Sequence, residues 1–121
     1  MTTIKIEATH ITPYVICDVE TGTISIKGRA IPEDSTLFFQ PIYEWVDAYI
    51  QLKRPLQINL QFEYFNTSVL KGILILLKSL EKTETSINWY YESDDEDMLE
   101  EGKDLNDALN LSINFIEIPS R

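Results

Sequence analysis

Three observations predict an α/β fold of the mixed (α+β) kind: one mixed β-sheet with an N-terminal antiparallel hairpin and about three helices packed on it. Leu56, Ile58, Leu60, Phe62 and Tyr64 alternate with polar residues at the period of a strand, and a stretch with apolar residues at helical spacing follows at once. Strand and helix patterns then alternate along the second half, which is the order of parallel strands joined by right-handed crossovers. Ahead of this come three short extended segments, two of them separated by Glu20-Thr21-Gly22, a hairpin turn.

In order, residues 3–8, 14–18 and 23–29 are the first strands, and the third alternates Ile24 and Ile26 with Ser25 and Lys27. Pro32 ends the extended run, and Asp34 or Ser35 can accept from the unpaired N–H groups of a first turn. A helix is therefore expected to begin near Thr36. Phe38, Ile42, Trp45, Val46, Tyr49 and Ile50 form its apolar stripe, with Pro41 placed near the first turn and Lys53-Arg54-Pro55 closing it. After the strand from Leu56, the residues Val69, Leu70, Ile73, Leu74, Leu76, Leu77 and Leu80 make too broad an apolar surface for one buried face, so this helix should be the most buried. Residues 86–92 form a strand, 94–109 an acidic, weaker helix interrupted at Gly102, and 112–118 a last strand.

The 121 residues suit one domain, 1–121, and an apolar share of 44% with 13 aromatic residues allows a core that needs neither metal nor disulfide. A single cysteine, Cys17, excludes an internal disulfide and, with His10 the only histidine, a zinc site of the Cys/His kind. The N-terminus lacks the order of a secretory signal and no apolar run reaches membrane-spanning length, so a soluble cytoplasmic protein without membrane insertion is expected. A formal charge of -10 makes nucleic acid and anionic membranes unfavourable partners. The four glycines supply no nucleotide-binding loop, and no cofactor is expected.

Four constellations could carry chemistry. Asn66-Thr67-Ser68 stands at the strand-to-helix junction, where small polar side chains cap a helix and an exposed hydroxyl can be reached by other proteins. From pattern alone a plain cap is the commoner use. A phosphate on Thr67 would bring about -1.5 to -2 charges to the positive end of a helix. The fold would tolerate it there, while a partner surface built against the bare helix start would not. The run Glu92-Ser93-Asp94-Asp95-Glu96-Asp97 is dense in carboxylates, yet it lacks the spacing and central glycine of a calcium loop and reads better as an acidic first turn. No metal is assigned. His10 stands alone and reads as structural. Of Trp89-Tyr90-Tyr91, Trp89 and Tyr91 share one strand face, which is the pattern of core packing, and Tyr90 takes the other.

Three blocks taken together resemble a known family: Gly28-Arg29-Ala30-Ile31-Pro32-Glu33, then Tyr64-Phe65-Asn66-Thr67-Ser68, then Asn88-Trp89-Tyr90-Tyr91-Glu92 running into residues 94–100. In that order and spacing the chain resembles the SiaC-type bacterial regulatory phosphoproteins, whose domain is similar to the STAS domains of anti-sigma-factor antagonists. The resemblance implies a non-enzymatic partner switch. It implies that the family's threonine, here Thr67, is phosphorylated by a protein Ser/Thr kinase and dephosphorylated by a metal-dependent protein phosphatase. It implies too that the unmodified form binds and activates a diguanylate cyclase, with a tie to cyclic-di-GMP signalling, biofilm formation and aggregation. Asn66, Thr67, Ser68, Pro32 and Glu33 are the expected partner-binding residues, with Ser68 the second candidate acceptor. Two departures stand out: Val69 and Leu70 where the family often has serines, and Ala30 where its proline loop often starts with serine. The alternatives carried by the residues are a constitutive STAS-like binding module, a small-ligand sensor, and a metal-dependent hydrolase using Asp94, Asp95 and Asp97.

Overall fold

In the computed structural model, which describes residues 1–120, the chain builds one six-stranded sheet whose strands lie side by side in chain order. The expected domain of residues 1–121 ends on Arg121, which lies outside the described residues. The strands are β1 (Ile4–Ile6), β2 (Tyr14–Asp18), β3 (Thr23–Ala30), β4 (Leu56–Phe65), β5 (Thr85–Glu92) and β6 (Ile113–Ile118). The helices are α1 (Ser35–Ile50), α2 (Thr67–Lys78) and α3 (Glu96–Asp107). β1, β2 and β3 pair antiparallel, whereas β3, β4, β5 and β6 pair parallel. Each helix is the crossover between two neighbouring parallel strands, so all three start at the strands' C-terminal ends.

The hairpin between β2 and β3 turns on Asp18, whose carboxylate accepts from the N–H groups of Glu20 and Thr21, and on Gly22 at φ 67. A Cβ on Gly22 would collide with the Pro55 carbonyl and the Tyr49 hydroxyl, so both backbone angle and space require glycine. One sheet face is apolar and covered by the helices: Val15, Cys17, Ile24, Ile26, Ile58, Leu60, Ile87 and Trp89 are each at most 1% exposed. The other face is polar. Across it Ser25, Asn59, Asn88 and Asn114 share one register, Asn88 donating to Asn59 at 2.9 Å and Asn114 to Asn88 at 3.2 Å.

Four details differ from the sequence reading. In α1 Phe39 is fully buried and Phe38 packs only partly against the core, while Ile42, Trp45, Val46 and Tyr49 hold the buried face expected of them. Pro41 lies nearly two turns inside α1 rather than near its start; the carbonyl it leaves without a helical partner belongs to Leu37, which is 72% exposed and open to water. α2 has one buried face after all, with Ile75 58% exposed, although it buries the largest share of the three helices. α3 runs unbroken through Gly102, where a Cβ would stand 2.7 Å from the Trp89 indole nitrogen, so this glycine brings helix and sheet together.

Candidate functional site

The three sequence blocks meet at the pole of the sheet where the parallel strands end and the helices begin. β4 reaches it through a bulge: Gly28 pairs with Phe62 and Arg29 with Tyr64, which leaves Glu63 as the extra residue. The phase of the strand therefore reverses. Tyr64, expected on the buried face, is 57% exposed, and Phe65 turns inward onto Trp89 at 6.1 Å. Gly28 at φ 124 supplies the conformation the matching kink in β3 needs.

Asn66 ends the strand and caps α2, its side-chain oxygen accepting from the Val69 N–H at 3.0 Å. Ser68 donates to the same oxygen at 2.8 Å, and its single proton is then committed. The 2.5 Å contact between Ser35 and Ser68 must accordingly be donated by Ser35. A hydrogen-bonded chain Ser35 to Ser68 to Asn66 thus ties the start of α1 to the start of α2. α1 has its own cap, Asp34, which accepts from Leu37 N–H at 3.1 Å. The strand end and the proline loop also join, Asn66 N–H donating to Ala30 C=O at 3.3 Å. Pro32 is buried in that loop and shapes it, while Glu33 is exposed.

Thr67 occupies the first helical position and is exposed, and no hydrogen bond engages its hydroxyl among the described residues. The two candidate acceptors are therefore unlike. Ser68 is a structural bridge, whereas Thr67 is a free hydroxyl at the positive end of a helix. Val69, at a position where the family often has serine, is fully buried, and so is Ala30; a hydroxyl at either place would sit in the core.

Thr67 opens onto a cleft of about 540 Å³ whose far wall is α3. Glu63, Asp95, Asp97, Glu100, Glu101 and Asp104 line it, and no lysine or arginine does. Lys103, one residue outside, pairs with Glu100 at 3.8 Å, and both are largely exposed, so this pair adds little stability. Asp95 is the cap of α3, accepting from Met98 N–H at 3.0 Å, and Glu96 and Asp97 stand in its first turn. Trp89 holds the wall in place from below: fully buried, it donates its indole N–H to the Met98 carbonyl at 3.0 Å. Asp94, Asp95 and Asp97 do not converge: Asp94 does not line the cleft and Asp95 is occupied as a cap. Among the described residues no group of three or more His, Cys, Asp or Glu is placed to hold a metal ion.

The sequence reading identified the hydroxyls but not their acidic surroundings or the tie to Ser35. α3 lies some thirty residues further along the chain, and nothing in local spacing says which way a helix wall faces. Nothing in the alternation marks the bulge, because Glu63 falls in the same polar phase as Gln57, Asn59 and Gln61.

An open mixed sheet with helices on one face, presenting a helix-start hydroxyl beside an acidic cleft, makes this a small mixed α/β domain. The family model for SiaC family regulatory phosphoproteins matches residues 6–118, and the chain belongs to that family. An uncharacterized protein of Pseudomonas aeruginosa is 30% identical over 106 residues, which are 83% of this chain and 84% of that one. Among solved structures, apo-SiaC of Pseudomonas aeruginosa is 26% identical with a TM-score of 0.88, over 96% of this chain and 99% of that chain. SiaC of the same organism in complex with the diguanylate cyclase SiaD, which it activates, is 26% identical with a TM-score of 0.90, over 95% and 99% of the two chains. No helix among the described residues is long and apolar enough to cross a membrane.

Proposed function

We propose that this chain is a non-enzymatic partner switch controlled by reversible phosphorylation of Thr67, and that its unmodified form binds and activates a diguanylate cyclase. A protein Ser/Thr kinase would write the mark and a metal-dependent phosphatase would remove it. The observation that carries the reading is the free, exposed Thr67 hydroxyl at the start of α2, in a family of regulatory phosphoproteins that includes a cyclase activator. Ser68, which holds the two helix starts together, is the poorer acceptor.

The surroundings of Thr67 explain how a phosphate would act. It would gain from the α2 N-terminus but face five carboxylates of the α3 wall across the cleft, with Glu63 beside it. A dianion and a monoanion about 8 Å apart in water repel by about 1 kcal/mol before salt screening, so several such pairs offset the helix-end gain. The modified pole carries a dense negative field, and a cyclase surface that seats Tyr64 and the bare helix start would have to desolvate the dianion or supply arginine for it. Release of the partner then needs no change of fold.

The test is phosphosite mapping by mass spectrometry on protein from its own host, with a binding assay against the cognate cyclase. A single phosphate on Thr67 and at least a tenfold loss of affinity for Thr67→Glu, with unchanged melting temperature, are the expected results. Phosphate on Ser68 alone, or full affinity of Thr67→Glu, would overturn the reading.

A further inference from the structure

The opposite pole of the fold holds a second cavity, of about 380 Å³, where α1 ends and β4 begins. Tyr49, Leu56 and Leu80, each at most 4% exposed, close it from below, and Ile50 and Pro55 present the more accessible apolar surface. Lys53, Arg54 and Lys82 stand around it, with Glu84 the only carboxylate among the residues that line it. Three of the ten cations of a chain with net charge -10 are thus gathered at one apolar cavity. None of the three makes an ion pair among the described residues.

The rim stands just past the C-terminal ends of α1 and α2, where cations are favourable, without lying in the last turn of either helix. α1 has no basic residue in its last turn, and α2 has Lys78 in its own, which does not line the cavity. The rim is also held in shape. Lys53 takes the left-handed conformation at φ 53, rare for a side chain with a Cβ, and this turns the chain sharply before Arg54 and Pro55. Arg54 lies over the Tyr49 ring at 5.6 Å and donates from Nη2 to the Glu20 carbonyl at 3.0 Å. Tyr49 in turn donates to the Pro55 carbonyl at 2.7 Å.

We infer that this cavity is a binding site for a small amphipathic anion, a compact aromatic or short aliphatic body bearing one carboxylate or phosphate. The body would rest on Ile50 and Pro55, and the acidic group would lie between Lys53 and Lys82. Its volume is at the small end of ligand pockets, which favours a single ring over a larger ligand. The site is separate from Thr67 and does not rest on the switch.

The experiment titrates the full chain with 1-anilinonaphthalene-8-sulfonate, follows its fluorescence, and displaces it with benzoate or phenyl phosphate to tell the two head groups apart. Saturable one-to-one enhancement is expected, weakened at least tenfold in Lys53→Gln/Lys82→Gln with an unchanged circular dichroism melt. Lys82→Gln alone, at an exposed position, should weaken it at least threefold and serves where the double variant folds poorly. Absence of saturable enhancement, or enhancement indifferent to both variants, overturns the assignment.

Discussion

The two poles of this sheet carry clefts of opposite character. Six carboxylates and no cation line the one beside Thr67, while three cations and one carboxylate surround the other. Parallel crossovers place the starts of all three helices at the first pole, so side-chain charge there opposes the helix dipoles, and a formal charge of -10 describes neither surface. The difference teaches that local charge in a small α/β domain follows the direction of its helices as well as its composition. It also separates the two proposals, phosphorylation at Thr67 and an anion in the distal cavity.

The comparison breaks most severely if the acidic wall loses its seat. Trp89→Ala removes the side chain under α3 and the donor to Met98, and should cost about 3–5 kcal/mol in chemical denaturation. α3 amides should lose hydrogen-exchange protection before those of α1; uniform loss would contradict a local seat. A smaller and more pointed test is Asn66→Ala, which deletes the α2 cap and the acceptor for Ser68, at about 1 kcal/mol. It should disturb the Thr67 pole and leave amide shifts around Tyr49 unchanged; shifts at both poles would mean that they are coupled.

An effect confined to alkaline pH lies between the poles. Burial pushes the Cys17 thiol from 9.0 up to about 12. A folded value above the unfolded one means that the neutral thiol's contribution is complete below about pH 9 and is lost as pH rises toward 12. Wild type should therefore lose stability relative to Cys17→Ala as pH rises from about 9 toward 12, a difference read by denaturant midpoint; parallel curves would refute it. Tyr43, also raised by burial, titrates in both proteins and cancels.

Order and type of every element were legible in the sequence, because the period-two runs at 24–26 and 56–62 and the helical stripe of α2 are strong and bounded by turn residues. The cap at Asn66 was legible for the same local reason. What escaped was long-range or depended on phase. The bulge at Glu63 turns Tyr64 outward, and Gly102 answers to Trp89 in another element. The Ser35 to Ser68 contact spans 33 positions, and the distal cavity is assembled from the 49–56 and 80–84 segments; no spacing rule reaches either.

The chain-order arrangement of the sheet has a consequence for how the protein is made. A chain leaving the ribosome N-terminus first always finds the docking edge for its next strand already formed, since each strand joins its immediate predecessor. No strand need be inserted between two older ones, and no early edge waits for a late partner. The sheet can grow outward from its opening hairpin in the direction of synthesis, and Thr67 comes to lie beside its acidic neighbours only when α3 has emerged.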